Sequence, residues 1–325
     1  MHGCFDEVRE LIDRVGLSAD DDLIAVGDIL DCGPESPAVL GFFQHRPNAR
    51  SLLGNHERKH LDWWRGRIAP ALSQRITRLQ LGEKRYPAVC AYLDTLPRYL
   101  ELPEAIVVHG FLEPGVPLAE HRETVLVGVM SGQAYLQERY SRPWYELYDG
   151  EKAVIVGHQD YLATGAPFVF HDRVFGIDTG CYRSGALTGL LLPEFHLISV
   201  PARADHYRAV RAAYASQVKA ATRSARSELA ADGARGADIE MVLRRLFDYI
   251  MAEHWRVLGE LRNEAEWNRF TEREQAKRYA ERVRRSPIAA YLYRTRQGGF
   301  SAERLRGSFR NGREILDLAG RLGLQ

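Results

Sequence analysis

The stretch GDILDCGP at residues 27–34 closes a short apolar run, DLIAVGD (22–28), of strand length and too short for a helix. Asp28 therefore stands just past a strand's C-terminal edge, where α/β folds gather their ligand sites. A Gly-Asp in that position is, taken alone, usually a turn. The same grammar then recurs three times. NARSLLGNHE (48–57), AIVVHG (105–110) and KAVIVGHQD (152–160) each pass from an apolar stretch into a glycine-containing loop, and the loops carry Asn55 and His56, His109, and His158. Four strand ends thus deliver a carboxylate, an amide oxygen and imidazoles, a donor mix suited to borderline divalent ions such as Mn, Fe or Zn. Asp31 follows Asp28 by three residues, and His56 adjoins Asn55.

The intervening segments are helical. FDEVRELIDRV (5–15) spaces Phe5, Val8, Leu11, Ile12 and Val15 along one helix face, and ESPAVLGFFQH (35–45) follows the same period. After RVFGIDTGC (173–181), the segment GALTGLLLPEFHLISVPA (185–202) predicts a two-stranded hairpin turned at PEFH. From Asp205 the alternation of strand and helix stops, and long charged amphipathic helices take over, broken near DGARG (232–236), SPIAA (286–290) and QGGF (297–300). The expected division is a catalytic domain over 1–204 and a helical extension over 205–325.

Composition narrows the class. With 45% hydrophobic and 27% charged residues the 325-residue chain reads as globular, and it contains no run of eighteen apolar residues and no signal-type stretch. Neither membrane insertion nor secretion is indicated, which leaves the cytoplasm as the expected location. Cys4, Cys32, Cys90 and Cys181 show no C-x-x-C spacing, as suits a reducing compartment. Three of them lie in or beside the motifs, so at least two should approach one pocket. The net charge of +1 conceals an excess of seven acidic residues over 1–204 and of eight basic residues over 205–325. The basic half reads as a solvated helical surface, with contact to nucleic acid as the sharper alternative.

The combined set, Asp28, Asp31, Asn55, His56, His109 and His158 in this order, resembles the calcineurin-like metallophosphoesterases, in the branch of serine/threonine protein phosphatases and symmetrical diadenosine tetraphosphate hydrolases. That family's signature runs G-D-x-H-G, G-D-x-x-D-R-G, G-N-H-E, then two further histidines. The likeness spans about residues 1–201 and includes GIDTGC (176–181), similar to the segment that closes the pocket in bacterial members. It implies an α/β (α+β) fold, a four-layer α/β/β/α sandwich, here with a C-terminal helical extension. It also implies two divalent cations, Mn first among Mn, Fe, Zn and Ni. Asp28 would bridge them, Asn55, His109 and His158 would complete one, and His2 the other. The implied reaction is hydrolysis of a phosphate ester or dinucleoside polyphosphate by a metal-bridging hydroxide, with His56 as general acid and Asp31 as its carboxylate partner. The implied partners are a phosphorylated small molecule, a nucleotide or a phosphoprotein, and no membrane.

Two departures bear on activity. The pattern's first aspartate belongs two residues before His2, where Met1 occupies the variable position. The expectation is a natural protein reading Gly-Asp-Met-His-Gly, begun upstream with a first core strand; a one-metal or inactive relic, and a likeness that fails at this end, are the other readings. Cys32 stands where the family has an arginine, and a thiol cannot make that bidentate, charged contact with phosphate. Arg183, Arg142, Arg58 and the adjoining Lys59 are the candidate replacements, Arg183 foremost because it follows the pocket-closing glycine turn. Trp63, Trp64, Trp144 and Tyr145 are candidates for a base-stacking platform, or for core. A pseudophosphatase or nucleic-acid-binding module is the alternative to the enzyme.

Overall fold

The computed structural model describes residues 1–65, 67–68, 70–231, 233–264, 267–298 and 300–324, with side chains described outside 219–238 and 268. It comprises two compact units, Met1–Arg65 with Pro70–Ala215, and Gly66–Ala69 with Ser216–Gln325. The division falls within a helix, eleven residues past the boundary expected at 204.

In the first unit, α1 (Phe5–Val15) leads to β1 (Leu23–Ala25), α2 (Ser36–His45), β2 (Ala49–Ser51), α3 (Asn55–Trp64), α4 (Leu72–Leu81) and α5 (Tyr86–Asp94). Then come β3 (Tyr99–Glu101), β4 (Ala105–Val108), α6 (Glu123–Leu126), α7 (Met130–Arg139), α8 (Trp144–Leu147), β5 (Ala153–Val156), β6 (Phe168–Phe170), β7 (Val174–Gly176) and the hairpin β8 (Ala186–Leu191) and β9 (His196–Pro201). The largest sheet has the order β3-β4-β5-β7-β6, with β4, β5 and β7 mutually parallel and the two edge strands antiparallel. The second β layer is in two pieces among the described residues, β1 parallel to β2 and β8 antiparallel to β9.

Strand periodicity explains the layering. Successive side chains of β4 and β5 point to opposite faces, and both faces are apolar because both are covered. Ala105, Val107 and Ile155 join Leu52, Ile24, Val26, Leu190 and Phe195 between the β layers. Val108, Val154 and Val156 turn the other way and pack with Val125, Leu126, Leu136 and Trp144 of the helices. On the far side, Val8, Leu11 and Ile12 of α1 cover Leu187 and Val200 of the hairpin. The result is helix, sheet, sheet, helix: a mixed α/β metallophosphoesterase fold.

The second unit is helical. After α9 (His206–Ala231), which starts in the first unit, come α10 (Gly233–Arg262), α11 (Glu272–Val283), α12 (Ala289–Arg296), α13 (Ala302–Arg306) and α14 (Gly312–Arg321). Val242, Leu246, Ile250, Val257 and Leu261 recur along one face of α10 and pack on Tyr279, Leu292, Leu305, Ile315 and Leu318. The break expected at SPIAA separates α11 from α12. Those at DGARG and QGGF involve Asp232 and Gly299, which lie outside the described residues. No helix among the described residues is long and apolar enough to cross a membrane.

Candidate metal centre

Strand register assembles the site. Val108 pairs with Val156, so β4 and β5 release His109 and His158 side by side, and the Gly157 N–H donates to the His109 carbonyl at 3.1 Å. Ala25 pairs with Ser51, so the loops after β1 and β2 bring Asp28 beside Gly54 and Asn55. Asp28 Oδ2 lies 3.5 Å from His2 Nε2 on one side and 3.3 Å from His109 Nε2 on the other. Asn55 Oδ1 lies 3.0 Å from His109 Nε2 and 3.1 Å from His158 Nδ1. All five expected ligands thus converge, with Asp28 between two groups.

The protons in this cluster are largely assigned by its surroundings. His109 Nδ1 lies 2.7 Å from the Val26 carbonyl and His2 Nδ1 lies 3.1 Å from the Leu30 carbonyl. A carbonyl only accepts, so each Nδ1 is the donor and each neutral ring turns a bare Nε2 lone pair inward. Those lone pairs meet Asp28 Oδ2, and that of His109 also meets Asn55 Oδ1, all of them acceptors. Acceptors facing acceptors in a buried pocket fit a cation, and the backbone carbonyls are the outer partners that usually orient ligating imidazoles. The donor set therefore fits divalent metal, with Asp28, Asn55, His109 and His158 around one position and His2 with Asp28 beside another.

The backbone is bent to this purpose. His2, Asp28, Asp31, Cys32 and His158 all have φ between 50° and 70°, a left-handed conformation uncommon in non-glycine residues. Glu57 braces the bend: one carboxylate oxygen accepts the N–H groups of Asp28 (2.8 Å) and Gly54 (3.1 Å), and the other accepts that of Leu30 (3.1 Å). Any side chain at Gly54 would overlap Asp28 Oδ1, and one at Gly27, where φ is 90°, would meet the His109 ring. Glu57 was present in the recognised motif but had no assigned role.

Beside the metal cluster, His56 Nδ1 lies 2.7 Å from Asp31 Oδ2. Asp31 is fully buried, and its oxygens also accept from His60 Nε2 (2.9 Å), Thr77 Oγ1 (2.6 Å) and Gln74 Nε2. His60 is legible in hindsight, four residues after His56 on the same face of α3; Gln74 and Thr77 come from α4 with no sequence signal. Burial opposes charge on His56, but the Asp28 and Asp31 carboxylates outweigh it and raise its pKa above the usual imidazole value. His109 is likewise raised, by Asp28 against burial, so that without a cation Asp28 favours a proton on the same Nε2 that a cation would take. At His2 burial prevails and pushes the pKa down to about 3, and at His158 burial with the neighbouring His109 pushes it down to about 4. Both are neutral and able to bind metal.

The candidate phosphate-binding cations separate. Arg183 is exposed in the turn Cys181–Arg183 and contributes positive potential at Cys32, as does Lys59. Arg58 is held by Asp62 and Glu123, and Arg142 is exposed with no bond to a site residue among the described residues. Cys32 is buried, with its sulfur, a His2 nitrogen and a His56 nitrogen all within 4.8 Å of one another. Tyr182, unremarked in the sequence, lays its ring 4.4 Å from that of His2. Two other cysteines do meet: the Cys4 and Cys181 thiols and a Glu7 carboxylate oxygen lie within 4.8 Å. Of the four aromatic candidates, Trp64 is half-buried, while the core reading holds for Trp63 and Trp144, which are buried, and for Tyr145, which packs among Tyr161, Phe168 and Phe170. Their large apolar rings gain more from burial than from the rim.

Residues 1–162 match the calcineurin-like phosphoesterase family model. The bis(5'-nucleosyl)-tetraphosphatase PrpE [asymmetrical] of Halalkalibacterium halodurans is 32% identical over 229 residues, covering 62% of this chain and 92% of its own. Its namesake in Bacillus velezensis is 25% identical over 228 residues, covering 62% and 89%. The crystal structure of a putative diadenosine tetraphosphatase superposes with a TM-score of 0.50 at 25% identity, covering 62% of this chain and 89% of that one. The two PrpE relatives bear the asymmetrical designation where the motifs suggest the symmetrical hydrolases. With the family's metal cradle and these relatives, the chain belongs to the calcineurin-like phosphoesterases, metal-dependent hydrolases of phosphate esters.

Proposed function

We propose that this phosphoesterase cleaves dinucleoside polyphosphates, and cleaves a tetraphosphate into unequal nucleotides. The observation that carries the reading is Asp28 Oδ2 set between His2 Nε2 and His109 Nε2, beside a histidine held by a buried carboxylate. The relatives' names supply the substrate class. Asp28, Asn55, His109, His158 and His2 would hold divalent cations, manganese by this reading, which would supply a water of lowered pKa and positive charge for the phosphate. His56 would hold a proton on Nε2 for the departing oxygen, its other nitrogen fixed by Asp31. Arg183 and Lys59 would meet the phosphates in place of the arginine that Cys32 replaces. A phosphoprotein or nucleic acid forms no part of this reading.

The test is incubation of the Mn-loaded chain with diadenosine tetraphosphate and chromatography of the products. AMP with ATP in equal amounts is expected. Two ADP, or hydrolysis of p-nitrophenyl phosphate alone, would overturn it.

A further inference from the structure

We propose that Tyr182, Arg183, Tyr207 and Arg211 form a nucleoside subsite at the rim of the metal centre, with a base stacked on the Tyr207 ring, its edge toward Tyr182, which stands at 82° to Tyr207, and the adjoining phosphate on Arg183. The inference deepens the dinucleoside polyphosphate reading and rests on it for the ligand class.

The cluster starts at the metal cradle and leads away from it. The Tyr182 ring touches His2, the Tyr207 ring lies 6.1 Å beyond it, and the Arg183 guanidinium lies over both, 5.1 Å from the first ring and 5.5 Å from the second. Arg211, one turn further along α9, lies 5.1 Å from the Tyr207 ring and donates from Nη1 to its hydroxyl at 3.3 Å. Both tyrosines are half-buried and both arginines exposed.

Charge distinguishes this cluster from ordinary surface. Nearby Arg9, Arg14 and Arg203 are all paired with carboxylates, of Asp6 and Glu10. Neither Arg183 nor Arg211 has a carboxylate partner among the described residues; their neighbours are aromatic rings. Cations left without anions beside half-buried tyrosine rings suit a ligand that is both anionic and aromatic, which a nucleotide is. Cleavage into unequal halves would also set one nucleoside close to the reacting phosphorus, as this rim position requires.

The support is rigid. Buried Glu7 accepts the Arg203 N–H at 2.9 Å and holds His206 Nε2 at 2.7 Å, which ties the start of α9 to α1 one residue before Tyr207. Asp205 caps the same turn through the Arg208 N–H at 2.9 Å.

Calorimetric titration of the Mn-loaded full chain with AMP and with inorganic phosphate tests the subsite without turnover. The wild type should prefer AMP to phosphate by about ten- to a hundredfold. Tyr207→Ala should abolish most of that preference, and Tyr207→Phe, which keeps the ring, should retain it. A wild type that binds AMP no more tightly than phosphate overturns the subsite, as does an unchanged preference in Tyr207→Ala or an equal loss in both variants. Binding of AMP through Tyr207 without cleavage of diadenosine tetraphosphate would sink the substrate reading alone; cleavage with a preference indifferent to Tyr207 would sink the subsite alone.

Discussion

Replacing His56 with Asn separates proton donation from metal binding. The change removes the ring that faces Asp31 at 2.7 Å but keeps the backbone N–H that donates to Asp28 Oδ1 at 2.9 Å, so the cradle retains its support. A positioned general acid contributes about a hundred- to ten-thousandfold, or about 2.7–5.5 kcal/mol of barrier. That contribution depends on the leaving group. An alkoxide or phenolate departs poorly without a proton, whereas p-nitrophenolate is stable as an anion. A nucleotide phosphate lies toward the second case, since its second ionisation falls near about pH 6. The loss in kcat/KM for His56→Asn should therefore approach a thousandfold on phenyl phosphate and shrink to about tenfold on p-nitrophenyl phosphate. Aryl phosphates of graded basicity, assayed with Mn-saturated protein whose metal content is measured alongside, give the slope directly. Equal losses across the series would refute proton donation, and parallel loss of metal would reassign His56 to the cradle.

Three further perturbations follow from the same geometry. Asp31→Asn removes one of the carboxylates that raise the His56 pKa; the acid form is lost as pH rises through that pKa, so the alkaline limb of kcat/KM should move to lower pH, and an unmoved limb would break the His56–Asp31 link. Glu57→Ala strips the acceptor from three buried N–H groups, at about 1–3 kcal/mol each. Urea unfolding should show a loss of about 3 kcal/mol or more, and a change under about 1 kcal/mol would mean that those groups find other partners. Cys32→Arg should tighten inhibition by inorganic phosphate by about tenfold through a bidentate contact; an unchanged inhibition constant would show that position 32 does not reach the substrate.

Four of the five candidate ligands were legible because strand ends are legible. A short apolar run followed by a glycine turn locates a residue at the sheet's edge, and Asp28, Asn55, His109 and His158 each announced themselves that way. The helices around Asp31 were not, because their meaning is purely tertiary. Gln74 and Thr77 sit on α4 more than forty residues after Asp31, and nothing local distinguishes a Gln that donates to a buried carboxylate from one that meets water. Arg58 shows the converse: its place after the motif suggests substrate, and what the sequence does not disclose is that α3 sets it against Asp62 and Glu123. Tyr182 was passed over because an aromatic in a turn carries no periodic signal, and only its ring against His2 gives it a role.

Three buried carboxylates, Asp28, Asp31 and Glu57, stand at the loops after β1 and β2, and the way each is satisfied separates structure from chemistry. Asp31 accepts from four side chains, and Glu57 accepts from three backbone N–H groups. Both are complete, as buried charge must be for the fold to tolerate it. Asp28 is satisfied on one oxygen only: Oδ1 takes the His56 N–H, while Oδ2 faces histidine nitrogens whose protons are committed to carbonyls behind them. A fold that supplies seven donors to two acids and withholds them from one oxygen of the third has kept that oxygen for a cation. The backbone at both Asp28 and Asp31 is left-handed, a strained conformation for a non-glycine residue. Glu57 and the α4 residues hold the strained loop in place, and the loop in turn holds Asp28 Oδ2 between His2 Nε2 and His109 Nε2.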